Sequence, residues 1–167
     1  DFSTRSGKVS VIRRNGMLWL DFPSWDTKQI EIDARLVAAL GARPRLAFQN
    51  RDLLAVFDTE QEVRNLAPDY VRLAELDTLG VMVTAPGTEC DFVSRFFAPA
   101  AGIPEDPVTG SAHCTLGPYW AARLGKSVLH ARQISGRGGD LHCEVLGART
   151  LIGGNTVEYL RGEIRLP

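Results

Sequence analysis

Ala112, Leu116, Tyr119, Trp120 and Leu124 fall at helical intervals, and Gly125 closes the run. No other segment of the chain reads as so long a helix. The remaining apolar runs are short, many of them alternating, and they are separated by glycine- and proline-rich turns. One prominent helix among many antiparallel strands makes the chain α+β. Pro118 lies inside the helical pattern and predicts a kink there.

The strands can be placed from local signals. Residues 9–22, "VSVIRRNGMLWLDF", form a hairpin about Asn15-Gly16, which favours a type I′ turn, and Pro23 stops it. "TKQIEIDARLVAALG" starts extended and turns into a short helix, Ala34–Leu40, ended by Gly41. "RLAFQN" and "LLAVFD" are strands joined at Arg51-Asp52. Two short helices follow, the first with Thr59 and Glu62 in capping-box spacing and the second capped by Asp69. "GVMVTAP" and "CDFVSRFFAP" are rich in β-branched and aromatic residues and read as strands. After the long helix a meander is expected: "VLHARQIS", "DLHCEVL", "RTLIG" and "TVEYLRGEIRL". Gly138-Gly139 supplies one of its hairpin turns.

A chain of 167 residues has room for one domain, or one domain and part of another. Its net charge of −1, with both signs spread evenly, gives no case for nucleic acid or an anionic membrane surface as partner. No apolar run approaches the roughly 20 residues that span a bilayer, and a cytoplasmic enzyme or binding domain is expected. Cys90, Cys114 and Cys143 are odd in number and far apart, and His113, His130 and His142 lack ligand spacing, so neither disulfides nor a metal are expected. "DFSTRSGKVSV" begins inside a strand-like stretch, which predicts a piece of a longer protein.

"EDPVTGSAH", residues 105–113, introduces the helix. Pro107 biases Asp106 towards extended backbone, so its carboxylate is expected to stand clear of the helix start and face a cleft. Gly110 allows close backbone approach, and the N–H groups of Gly110, Ser111 and Ala112 are expected to be unpaired at the positive end of the helix dipole. A substrate carboxylate or an enolate-like oxygen would be well received there, with the Ser111 hydroxyl as a further donor. A plainer reading fits the same residues: Thr109 or Ser111 as N-cap, and Asp106 as a favourable charge near the dipole. His113 either faces the cleft as a neutral imidazole or simply packs. Cys114 reads as a core residue, and only one of His142 and Cys143 can face the core. Arg137 is placed to reach a carboxylate, and Arg95 reads as a paired, partly buried arginine.

"SRFFAPAAGIPEDPVTGSAHCTLGPYW", followed by "RQISGRGGDLHCEV", closely resembles the C-terminal half of the phenazine-biosynthesis PhzF-like family, and "FSTRSGKVSV…LDFPS" resembles its middle. That family is similar in fold to diaminopimelate epimerase: two pseudo-symmetric lobes, each a β-roll around a central helix, with the active site between them. The resemblance implies that residues 1–23 are the final strands of an N-terminal lobe that is otherwise absent. Residues 24–167 would then be the C-terminal lobe, with its central helix near 111–124. It implies a cofactor-free isomerase that moves a proton between carbons of a small cyclic carboxylic acid, a dihydro-hydroxyanthranilate in the phenazine pathway. It also leans towards a homodimer. Asp106 corresponds to the family's active-site aspartate and Ser111 to its substrate-contacting serine; Gly110 and the neighbouring N–H groups would hold the substrate carboxylate. The family's principal acid/base is a glutamate of the first lobe, followed by a "GHAT"-like segment, and neither is matched here. The chain is therefore expected to be inactive without that lobe. The alternatives are a non-catalytic carboxylate-binding protein on the same scaffold, or an epimerase or racemase; a two-thiol mechanism is disfavoured because the turn carries no cysteine.

Overall fold

A computed structural model describes residues 1–4 and 7–165. The opening hairpin forms: β2 (Gly7–Arg14) and β3 (Met17–Pro23) pair antiparallel from Arg14↔Met17 to Ser10↔Asp21. Asn15 and Gly16 between them have φ of 53° and 80°, the two positive values a type I′ turn requires. β1 (Phe2–Thr4) adds to the outer side of β2, and Arg5 and Ser6 lie outside the described residues.

The next elements follow their local signals closely. β4 (Lys28–Ile30) leads to α1 (Ala34–Leu40), which Asp33 caps and a left-handed Gly41 ends. β5 (Leu46–Gln49) and β6 (Leu53–Val56) form an antiparallel pair. α2 (Glu60–Asn65) starts on the Thr59/Glu62 capping box and α3 (Tyr70–Ala74) on Asp69. The two helices return the chain to β7 (Val81–Pro86), which lies parallel to β6. β8 (Phe92–Ala98) pairs antiparallel with β7. A 3₁₀ turn at Pro99–Ala101 then folds β9 (Ile103–Asp106) back along β8. After α4 (His113–Leu124) come β10 (Val128–Gln133), β11 (Gly139–Leu146) and β12 (Arg149–Gly154). Among the described residues one sheet results, in the order β1-β2-β3-β12-β11-β10-β8-β7-β6-β5-β4, with β9 attached to β8.

Side-chain alternation divides the core into two layers. On β6, β7 and β8, Ala55, Val83 and Phe97 point towards α1, α2 and α3, while Leu54, Met82 and Phe96 point the other way, towards α4. These strands are covered on both faces, which is why they read as nearly continuous apolar runs. The sheet curls about α4. The helix packs against β10, β11 and β12, its Trp120 ring stacks on Phe92 of β8, and its Tyr119 ring meets Phe48 of β5. Gly117 lets β12 approach, since a Cβ there would lie 3.2 Å from Thr150 Cγ2. The architecture is an α+β β-roll around a central helix.

Three local expectations are corrected. The helix proper starts at His113 rather than Ser111, because residues 110–115 enter through i→i+3 bonds, His113 N–H to Gly110 O and Cys114 N–H to Ser111 O. The helix continues past Pro118 to Leu124, and the Cys114 carbonyl that Pro118 cannot serve accepts the N–H of Trp25 at 2.8 Å. The turn between β10 and β11 spans Ile134 to Gly138, and Gly139 is already the first residue of β11. The final strand does not form. Residues 155–165 carry no regular secondary structure, and β12 ends at Gly154, opposite Leu18; Leu166 and Pro167 lie outside the described residues.

Candidate functional site

Asp106 ends β9 and is held to β8 through its pairing with Phe96. The preceding residue, Glu105, anchors this strand end: its carboxylate makes a two-pronged pair with Arg95, at 2.8 and 3.0 Å. Arg95 also donates to the carbonyls of Val63 and Leu66, so it is the paired, part-buried arginine expected. The backbone at Asp106 is extended, but its carboxylate is not free of partners. Thr109 Oγ1 donates a short hydrogen bond to Oδ2. Oδ1 accepts no hydrogen bond among the described residues and is not sealed from solvent.

The turn that follows is strapped from two sides. Gln133, buried on β10, accepts the Thr109 N–H at 2.8 Å and donates to the Asp106 carbonyl at 2.7 Å. Ser135 donates its hydroxyl to the Pro107 carbonyl at 2.7 Å and accepts the Gly138 N–H. Gly139 permits the close seat, since a Cβ there would come within 2.6 Å of Val108 Cγ2. The N–H groups of Gly110, Ser111 and Ala112 make no hydrogen bond among the described residues, and neither does the Ser111 hydroxyl. Three consecutive unpaired donors at the mouth of α4 are thus an observed feature, as anticipated.

A cleft of about 570 Å³ opens beside this turn. Leu20, Val108, Leu141 and Ile152 line it with apolar surface, and Gly110, Arg137 and Asp140 contribute polar groups, while Asp106, Ser111 and Ala112 stand outside this lining. A Cβ at Gly110 would meet only Leu20 Cδ1, at 3.5 Å, so the glycine keeps open space rather than relieving a clash. Arg137 is exposed and makes no ion pair among the described residues. Asp140 is already engaged, accepting from His130 Nε2 at 2.8 Å and from Arg132 Nε at 3.2 Å. No three His, Cys, Asp or Glu side chains gather as a metal set among the described residues.

His113 is placed otherwise than a ligand contact requires. It is wholly buried on Phe92, with rings 5.8 Å apart, so in this structure it offers nothing to the cleft. Its Nδ1 donates to the Thr109 carbonyl at 2.8 Å, which fixes the Nδ1–H tautomer and leaves Nε2 a bare, unpartnered acceptor. Burial pushes the imidazole down from 6.5 to about 4, against the pull of the Thr109 carbonyl. As pH falls below 6.5 the unfolded chain takes up this proton before the folded one does. Stability should therefore drop by about 3 kcal/mol between pH 6.5 and 4, and no further from this group below that. Denaturant titrations at several pH values should show that decrement in the native sequence and its loss in His113→Asn.

Cys114 and Cys143 sit in the core, where burial pushes both thiols up to about 12. Neither supplies a thiolate base to the cleft. His130 and His142 lie on the outer face of the sheet with rings stacked at 5.1 Å, and Cys143 takes the inner face, as the alternation required.

The phenazine biosynthesis-like protein (PhzC-PhzF) family model matches residues 1–162. This chain belongs to the PhzF family. It is 48% identical to an uncharacterized isomerase of Pseudomonas aeruginosa and 43% identical to one of Halalkalibacterium halodurans, in each case over 99% of its own length. The crystal structure of a PhzF-family protein from Enterococcus faecalis superposes with a TM-score of 0.91 at 43% identity, over 99% of this chain. A PhzF-family structure from Bacillus anthracis shares the fold at 14% identity, with a TM-score of 0.66. The chain spans 64% of the length of the first three. Membership accounts for the β-roll about α4, which is the diaminopimelate epimerase-like arrangement of this PhzF fold. No helix among the described residues is long and apolar enough to cross a membrane.

Thr109 was expected at the site only as an N-cap, a role neither it nor Ser111 takes, since no side chain caps α4; Gln133 was not anticipated there. Gln133 leaves one signal in the sequence: it occupies an inward position of β10, in register with Leu129 and Ala131, where an apolar residue is the norm.

Proposed function

We propose that this chain forms one wall of a cofactor-independent isomerase that moves a proton between carbons of a small carboxylic acid. The observation that carries the reading is the row of three unpaired N–H groups, Gly110 to Ala112, four to six residues beyond a carboxylate with one open oxygen. The donors hold the substrate carboxylate or the enolate-like oxygen that develops when a C–H proton leaves, and Arg137 adds a positive charge across the cleft. Asp106 handles the proton through Oδ1, the Ser111 hydroxyl contacts the bound acid, and Leu20 and Ile152 receive its apolar body. The names of the relatives support an isomerase. The PhzF resemblance supports a cyclic acid of the dihydro-hydroxyanthranilate type, with a second proton-handling group on an N-terminal lobe to which residues 1–23 belong.

Solvent-deuterium incorporation into a dihydro-hydroxyanthranilate, followed by proton NMR with the full-length gene product, tests this reading. Incorporation without any added cofactor is the expected result. Binding of the acid without incorporation would instead favour a carboxylate-binding protein on the same scaffold, because the N–H cradle alone suffices for that.

A further inference from the structure

We infer that Gln133 is a positioning residue: acting through Thr109, it sets a fixed proton order in which Asp106 Oδ2 only accepts and Oδ1 alone exchanges protons with substrate. The inference rests on the isomerase reading for its consequence, but not for its geometry.

Gln133 is wholly buried, Oε1 accepts the Thr109 N–H at 2.8 Å, and Nε2 donates to the Asp106 carbonyl at 2.7 Å. Flipping the amide would set NH₂ against N–H and C=O against C=O, so its two backbone partners admit one orientation. The second Nε2 proton then points to Thr109 Oγ1, 3.1 Å away. Thr109 Oγ1 must accept that bond, and its own proton is left for Asp106 Oδ2, the short contact observed. The order Gln133 N–H to Thr109 O–H to Asp106 carboxylate follows from donor and acceptor inventory alone. A proton arriving at Asp106 from a substrate carbon leaves its electron pair behind as an enolate-like anion. It finds Oδ2 occupied and settles on Oδ1, from which it is returned to a different carbon. Thr109 is only 7% exposed, so water does not readily replace this donor.

A structural role alone would predict loss of stability, so the test uses shape-conserving changes in the full-length protein. In H₂O/D₂O mixtures, deuteration of the Thr109 hydroxyl should shift the ¹³C signal of the Asp106 carboxyl carbon. The shift should persist in Thr109→Ser and vanish in Thr109→Val. It should also vanish in Gln133→Glu, where the hydroxyl turns towards the new carboxylate. With a dihydro-hydroxyanthranilate as probe, Thr109→Val should lower kcat for deuterium incorporation by about tenfold or more at nearly unchanged KM, and Thr109→Ser should restore it. A native protein without the isotope shift, or Thr109→Val exchanging at the native rate, overturns the inference. If the native protein incorporates no deuterium the isomerase reading falls, and the carbon signal still decides the proton order by itself.

Discussion

Asp106→Asn in the full-length protein is expected to slow solvent-deuterium incorporation by about 10²–10⁴-fold while leaving binding of the acid nearly intact. The substitution is close to isosteric. The amide oxygen still accepts from Thr109 Oγ1, and the backbone pairing of residue 106 with Phe96 does not involve the side chain. What disappears is the open carboxylate oxygen, the group assigned to carry the proton. The cradle of Gly110, Ser111 and Ala112 N–H groups is untouched, so the ligand should bind about as well. Exchange rates by NMR together with calorimetric affinities separate the two effects. Native-like exchange in the variant would move the proton-handling role away from Asp106, and lost binding would show that the carboxylate orders the turn instead.

How much of this was readable in the sequence depends on the range over which each signal acts. Turns and caps are local, so Asn15-Gly16, Asp33, Thr59 with Glu62, Asp69 and Gly41 all did what their residue types prescribe. The motif at residues 105–113 was also local enough to announce unpaired backbone donors, because a proline, a glycine and a helix start occur together there. The strap beneath it was not readable. Gln133 lies 24 residues from Thr109, and nothing short of the fold says that β10 runs under the 106–110 turn. The same limit explains His113. Its position in the first turn was clear, yet whether it faced cleft or core depended on Phe92, a residue of β8 brought alongside only by the curl of the sheet. The tail failed for the opposite reason. "TVEYLRGEIRL" has the composition of a strand, but a strand forms only against a neighbour, and none of the described strands pairs with it beyond Gly154.

Trp120→Ala should cost about 3–5 kcal/mol and lower the melting temperature of the protein by roughly 10 °C, the largest stability loss expected of a single side chain here. Trp120 is only 2% exposed and packs in the core layer between α4 and the sheet. Its ring stacks on Phe92 at 5.6 Å with planes 9° apart, and Tyr119 meets its edge at 5.4 Å. The indole N–H donates to Thr84 Oγ1 at 2.9 Å, and that hydroxyl in turn donates to the Val93 carbonyl. Truncation therefore opens a cavity between β7, β8 and the helix, and removes a buried hydrogen bond in addition to the packing. Trp120→Phe keeps the stack and should lose only part of this, so the difference between the two variants in denaturant titrations measures the hydrogen bond and the rest of the indole. The effect should also reach the site. α4 carries the unpaired donors on its leading turn, and Phe92, which Trp120 holds, packs on His113, whose Nδ1 fixes the Thr109 carbonyl. Trp120→Ala should accordingly weaken binding of the acid well below the unfolding transition, whereas a core residue remote from α4, such as Leu73 on the far layer, should reduce stability when truncated without that loss.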